Sequence, residues 1–148
     1  MKQIRLLNWT LEIDASKTKE FYEKAIEQCG CLSCINYREA ARHFKPSIVA
    51  IFTQLGINPS KPSHLSEFGE MEDKLRLYSG SYHLVGRLVE GEYCTDSNWN
   101  AANTAETGNF KIGINQELTF VPEALPRPVL QIDFEALIPW VLNEKAAD

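Results

Sequence analysis

The chain has 148 residues, 44% of them hydrophobic and 24% charged, and carries a formal net charge of −5. These are ordinary globular values and exclude a disordered chain. The acidic balance argues against nucleic acid as a partner, because a polyanion binder wants a basic footprint and here Arg38, Arg42, His43 and Lys45 form only a small basic patch. A chain of this length reads as one domain, 1–148, that buries roughly 70% of the surface its unfolded form exposes. It needs neither a disulfide nor a metal merely to fold.

The N-terminus has no apolar core of the about 7–15 residues that a signal peptide requires. The best apolar run, Ile48 to Phe52, falls far short of the about 20 residues of a membrane helix. The expected setting is the cytoplasm, with no membrane partner and with thiols kept reduced.

In chain order, Ile4 to Ile13 reads as a strand, with Leu7, Trp9, Leu11 and Ile13 alternating against polar neighbours. Ser16 is a candidate N-cap for a helix over 17–28, striped by Phe21, Tyr22, Ala25 and Ile26. Gly30 is its expected stop. A second helix is expected from Cys34 to about Phe44. A third is expected over 47–55, opened by Pro46 and closed by Gly56. The stretch 58–70, with Pro59, Pro62 and His64, reads as an extended connector. Leu75–Tyr78 and Tyr82–Glu90 read as a hairpin around Ser79-Gly80-Ser81, the second strand apolar on both faces and therefore central. After a polar excursion over 95–109, Phe110, Ile112 and Ile114 alternate, as do Leu118 and Phe120, which suggests a second hairpin turning at Asn115-Gln116. Val129 to Phe134 is the last expected strand, with Trp140 packing near the C-terminus. The sum is an α+β fold: a mainly antiparallel sheet of about five to six strands with two or three helices packed on one face.

Three of the four cysteines, Cys29, Cys31 and Cys34, fall within six residues. Three explanations compete. Zinc takes four tetrahedral ligands, and a Cys-x-x-Cys pair supplies two from one turn. Cys31 and Cys34 fit that spacing, Cys29 adds a third donor, and Cys94 is the leading fourth, ahead of His43, His64 and His83. Thiol redox chemistry is the second explanation, since a thiol at a helix start has its thiolate stabilised. The expected helix places Cys34 there, whereas a thioredoxin-like motif places its first cysteine there. The third explanation is packing of small apolar side chains between two helices.

Other polar residues have plainer readings. His83, amid Tyr78 and Tyr82, reads as a satisfied core histidine rather than a pocket residue. Glu12, Asp14, Glu20 and Glu23 surround a helix N-terminus that stabilises them. Asp133 and Glu135 flank Phe134 and read as a solvated face. Phosphate-loop, nucleophile-elbow and zinc-protease motifs are absent from the sequence.

The run Cys-x-Cys-x-x-Cys-x-Asn-Tyr at 29–37, together with Leu55-Gly56-Ile57-Asn58-Pro59, Tyr82-His83-Leu84-Val85-Gly86 and Pro139-Trp140-Val141-Leu142, resembles a group of small proteins of Gram-positive bacteria and their mobile elements. The resemblance spans roughly Trp9 to Glu144. It implies a cytosolic single domain and implies no activity. The function expected from the sequence is a non-enzymatic binding or interaction domain, for a protein or small-molecule partner, with a structural zinc site at Cys29, Cys31, Cys34 and Cys94. The alternative is a thiol-based redox enzyme or sensor that uses the first three.

Overall fold

The computed structural model describes residues 1–24 and 26–144. Among these described residues seven strands form one antiparallel sheet: β1 (Lys2–Leu6), β2 (Trp9–Ile13), β3 (His64–Glu70), β4 (Leu75–Glu90), β5 (Ala105–Thr107), β6 (Phe110–Asn115) and β7 (Val129–Pro139). Three α-helices among the described residues, α1 (Ala15–Glu23), α2 (Leu32–Ala41) and α3 (Pro46–Leu55), complete the α+β fold. The sheet order is β1-β2-β4-β7-β6-β5, with β3 also paired to β4.

The long strand β4 is the spine, paired with β7 from Leu75–Pro139 to Val85–Val129. Its other edge is shared: β3 takes the first part, β2 the last. Between them the backbone of residues 82–85 would be left bare, and α1 closes the gap. The His83 carbonyl accepts from the Tyr22 hydroxyl at 2.7 Å, and the His83 amide donates to the same oxygen at 3.2 Å. The Val85 amide donates to Thr18 Oγ1 at 2.9 Å, while the Val85 carbonyl accepts from the Asp14 amide at 2.9 Å. Two side chains of α1 and the backbone amide of its N-cap thus stand in for a missing strand, as buried backbone groups require.

Alternation along the strands puts Tyr78, Tyr82, Ile132, Phe134, Phe110 and Ile112 on the helix side, all buried. Tyr37 of α2 stacks on Phe134, and Phe52 of α3 packs on Tyr82 and Phe110. Each such ring contributes roughly 1.5–3 kcal/mol by burial. The Tyr37 hydroxyl donates to that of Tyr82, which donates to the Pro59 carbonyl, so neither buried oxygen is orphaned.

Several expected boundaries move, each for a visible reason. Residues 4–13 form a hairpin, not one strand, because Leu7 turns the chain with φ of 51°. The first helix is capped by Asp14, whose carboxylate accepts from the Lys17 amide, rather than by Ser16. It stops at Glu23, not Gln28. The Lys61 ammonium donates to the carbonyls of Tyr22 and Lys24 and takes over the last-turn acceptors. Ala25 lies outside the described residues. The Ser79-Gly80-Ser81 run is no turn but the middle of β4. A Cβ at Gly80 would collide with the His64 carbonyl and press on the Phe134 ring, so glycine is what lets β3 and β7 flank the strand. Leu118 and Phe120 form no strand. The Asn115 side chain accepts from the Glu117 amide and folds the chain off the sheet. The expected connector 58–70 contains β3. Among the described residues no helix is long and apolar enough to cross a membrane.

Candidate metal centre

The cysteine turn lies between α1 and α2. From Ile26 the chain runs without regular structure to Cys31, which is the N-cap of α2. Gly30 is therefore not a helix stop. Its φ is not left-handed, and a Cβ there would meet nothing. Cys34 sits in the first turn of α2, so the first thiol of the Cys-x-x-Cys pair, not the second, holds the helix start.

Two sets of bonds fix this junction. The Arg38 guanidinium donates to the Cys29 carbonyl at 2.9 Å and draws the loop back over α2. The Tyr78 hydroxyl donates to the Ser33 carbonyl at 2.7 Å. Asn36, fully buried, donates to the Pro139 carbonyl at 3.1 Å and accepts from the Val141 amide at 2.7 Å. The helix carrying the motif is thereby bolted to the end of β7.

The sulfurs of Cys29, Cys31 and Cys34 all lie within 4.8 Å of one another. Cys29 and Cys31 are exposed; Cys34 is buried. The Cys29 thiol is held below the ordinary thiol range, chiefly by the Cys31 backbone amide, then by the neighbouring thiols, with Arg38 adding a smaller pull. Burial, with the adjacent thiols, pushes Cys34 up to about 12. A groove of 210 Å³ borders the cluster, lined among others by Glu27, Arg38, Pro62 and His64.

The expected fourth donors do not join them. Cys94 is fully buried, with its backbone bonded to Ile114 and Gln116 and its sulfur lying over Gly113 of β6. There it fills the space that a side chain at Gly113 would need. His43 lies beyond the far end of α2, roughly 13 Å along the axis from Cys34 at 1.5 Å per residue. His64 stacks on Phe120 with ring centroids 4.3 Å apart and contacts Ser66 Oγ at 3.2 Å. His83 is committed elsewhere. Among the described residues the group that could hold a metal comprises three cysteines and no fourth ligand.

The sheet face away from the helices carries a second polar constellation, which the sequence reading missed. Gln131 Oε1 accepts from the Thr119 amide at 2.6 Å, which fixes the orientation of the side-chain amide. His83 Nε2 therefore donates to that oxygen at 3.0 Å, and His83 Nδ1 accepts from Ser63 Oγ at 2.7 Å. Gln131 Nε2 donates to Asp133 Oδ1 at 2.9 Å, as does Ser81 Oγ at 2.7 Å. Asn115 Nδ2 donates to Asp133 Oδ2 at 2.6 Å and to Asp96 Oδ1 at 2.9 Å. His83 is thus the satisfied core histidine that was expected, and burial holds its pKa below the ordinary value. Asp133, expected on a solvated face, is instead a half-buried acceptor of three bonds. Above this floor opens a cavity of 510 Å³ lined by Ser79, Ser81, Asp96, Trp99, Phe120 and Glu135 among others. The period-two runs Ser79-Ser81-His83 and Gln131-Asp133-Glu135 were its signal, but only the β4–β7 register shows that they face each other.

Comparison with known protein families, with curated proteins and with solved structures finds no match for the chain.

Proposed function

We propose that this protein is a non-enzymatic binding domain that holds a zinc ion on Cys29, Cys31 and Cys34 and leaves the fourth position to water or to a donor from its partner. The observation that carries the reading is the convergence of three sulfurs within 4.8 Å. Tetrahedral zinc with Zn–S bonds of about 2.3 Å sets its sulfurs about 3.8 Å apart, so a small contraction of the exposed loop completes the site. Three protein ligands and an open position suit a metal that receives a further ligand better than a closed structural centre. The partner is an unidentified protein or small molecule, and the setting is cytoplasmic. The test is metal content of protein purified without chelator, beside the Cys31→Ser, Cys34→Ser double variant. One zinc per parent chain and none in the variant is the expected result; equal content in both sinks the reading.

One observation favours thiol redox chemistry as a second reading. An exposed, acidified Cys29 lies beside a buried thiol held up to about 12, which pairs an attacking sulfur with a resolving one. Peroxide would oxidise Cys29 to a sulfenic acid, and the Cys34 thiol would displace water to give a disulfide. A fast single-thiol phase in metal-free protein, followed by loss of two thiols, would favour it over zinc.

A further inference from the structure

We infer that the cysteine turn is selective for a three-coordinate, trivalent thiophilic ion of the arsenite class over four-coordinate zinc. The inference rests on the metal-holding reading above and names the ligand that this donor set fits best.

Three features carry it. The first is the donor count. Among the described residues Cys29, Cys31 and Cys34 form a group with no fourth Cys, His, Asp or Glu ligand atom. Zinc must complete its shell from outside. Trivalent arsenic bonds three sulfurs in a pyramid, and its lone pair occupies the remaining direction.

The second feature is charge. Three thiolates around a divalent ion carry a net charge of −1, whereas around a trivalent ion they carry none. Cys34 is only 8% exposed. Placing uncompensated negative charge on a buried sulfur is costly. Compensation nearby is limited, because Arg38 brings one positive charge to the groove and Glu27, lining the same groove, offsets it. A neutral tris-thiolate needs no counter-charge.

The third feature is access. Cys29 and Cys31 are exposed, so an incoming ligand reaches two thiols before it engages the buried third. Arsenous acid is uncharged near neutral pH and is not steered away from or toward the acidic chain. The reaction is three successive exchanges. Each thiol sulfur forms one As–S bond, one As–O bond breaks, and the thiol proton leaves with the hydroxide as water. Arsenous acid and three thiols give one tris-thiolate and three waters, and arsenic stays trivalent throughout.

The experiment is titration of the reduced, metal-free full chain with sodium arsenite, followed by native mass spectrometry, with zinc chloride as competitor. The expected product is one arsenic per chain with loss of three protons and no retained hydroxyl, formed in preference to the zinc complex. Cys29→Ser and Cys31→Ser, both at exposed positions, should weaken arsenite binding on the order of tenfold or more, since each removes one of three soft donors. Cys94→Ser should leave the stoichiometry unchanged. Far-UV circular dichroism of each variant confirms that it is folded. An arsenic adduct that keeps a hydroxyl, or arsenite binding equal in the parent and Cys29→Ser, overturns the inference. Zinc bound tightly while arsenite is refused overturns it and leaves the metal-holding reading standing. Refusal of both overturns both.

Discussion

The cysteine turn and the polar face of the sheet are both clusters of reactive side chains, yet they are built in opposite ways. The turn joins two helices through an irregular segment, exposes two of its three thiols, and among the described residues brings no fourth ligand atom to them. The polar face buries His83 and Gln131 and satisfies them; among the described residues no buried side-chain nitrogen or oxygen lacks a partner. Unspent bonding capacity marks a place where a ligand can add something. Saturated capacity marks a place where removal does harm. By this comparison the turn is the candidate ligand site and the network is built as scaffold, with the cavity above it lined by what the scaffold leaves exposed.

The sharpest way to break this contrast is to cut the network at its hub. Gln131→Ala strips partners from His83, Asp133 and the Thr119 amide together. Leaving buried polar groups unpaired costs about 1–3 kcal/mol each, and networks lose more than single bonds, so about 3 kcal/mol is expected in urea unfolding. A loss under about 1 kcal/mol would mean that the network is not scaffold.

Acid probes the same network more gently. Burial, the dominant effect, holds His83 below its ordinary pKa of 6.5. Below that pH the unfolded chain takes up a proton that the fold refuses, so stability is full above about pH 6.5 and declines as pH falls toward the depressed native value. The slope attributable to His83 is at most about 1.4 kcal/mol per pH unit. Urea midpoints at several pH values should show this component in the parent and lack it in His83→Gln. Identical profiles would remove His83 as its source.

At the turn the expected effects are smaller in stability and larger in ligand binding. Cys31→Ser, Cys34→Ser should abolish metal uptake while lowering unfolding stability by about 1 kcal/mol, because only Cys34 is buried and the sheet core stands without the junction. A loss as large as that of Gln131→Ala would make the turn a structural staple. The mildest change is Arg38→Ala. It frees the Cys29 carbonyl from an exposed bond, so stability should move by about 0.5 kcal/mol or less. Metal affinity should nevertheless fall several-fold, because the loop is no longer pre-positioned. Unchanged affinity by calorimetry would show that Cys29 reaches the ion without that tether.

The sequence by itself determined the fold class, the centrality of the strand through Tyr82 and Leu84, the third helix between Pro46 and Gly56, and the gathering of Cys29, Cys31 and Cys34. These are local matters: apolar periodicity, a proline at a helix start, a glycine of φ 80° at a helix end, and thiols too close in the chain to separate far. Tertiary structure alone decided the rest. Lys61 ends the first helix from 37 residues away, and pairing with β3 and β7 turns an apparent Ser-Gly-Ser turn into the middle of a strand. The register of β4 against β7 sets His83 beside Gln131, a meeting across 48 residues that no local pattern encodes. Cys94 was excluded from the cluster for the same kind of reason. Its place is fixed by the space over Gly113, and packing against a distant backbone outweighs its chemical likeness to the other three.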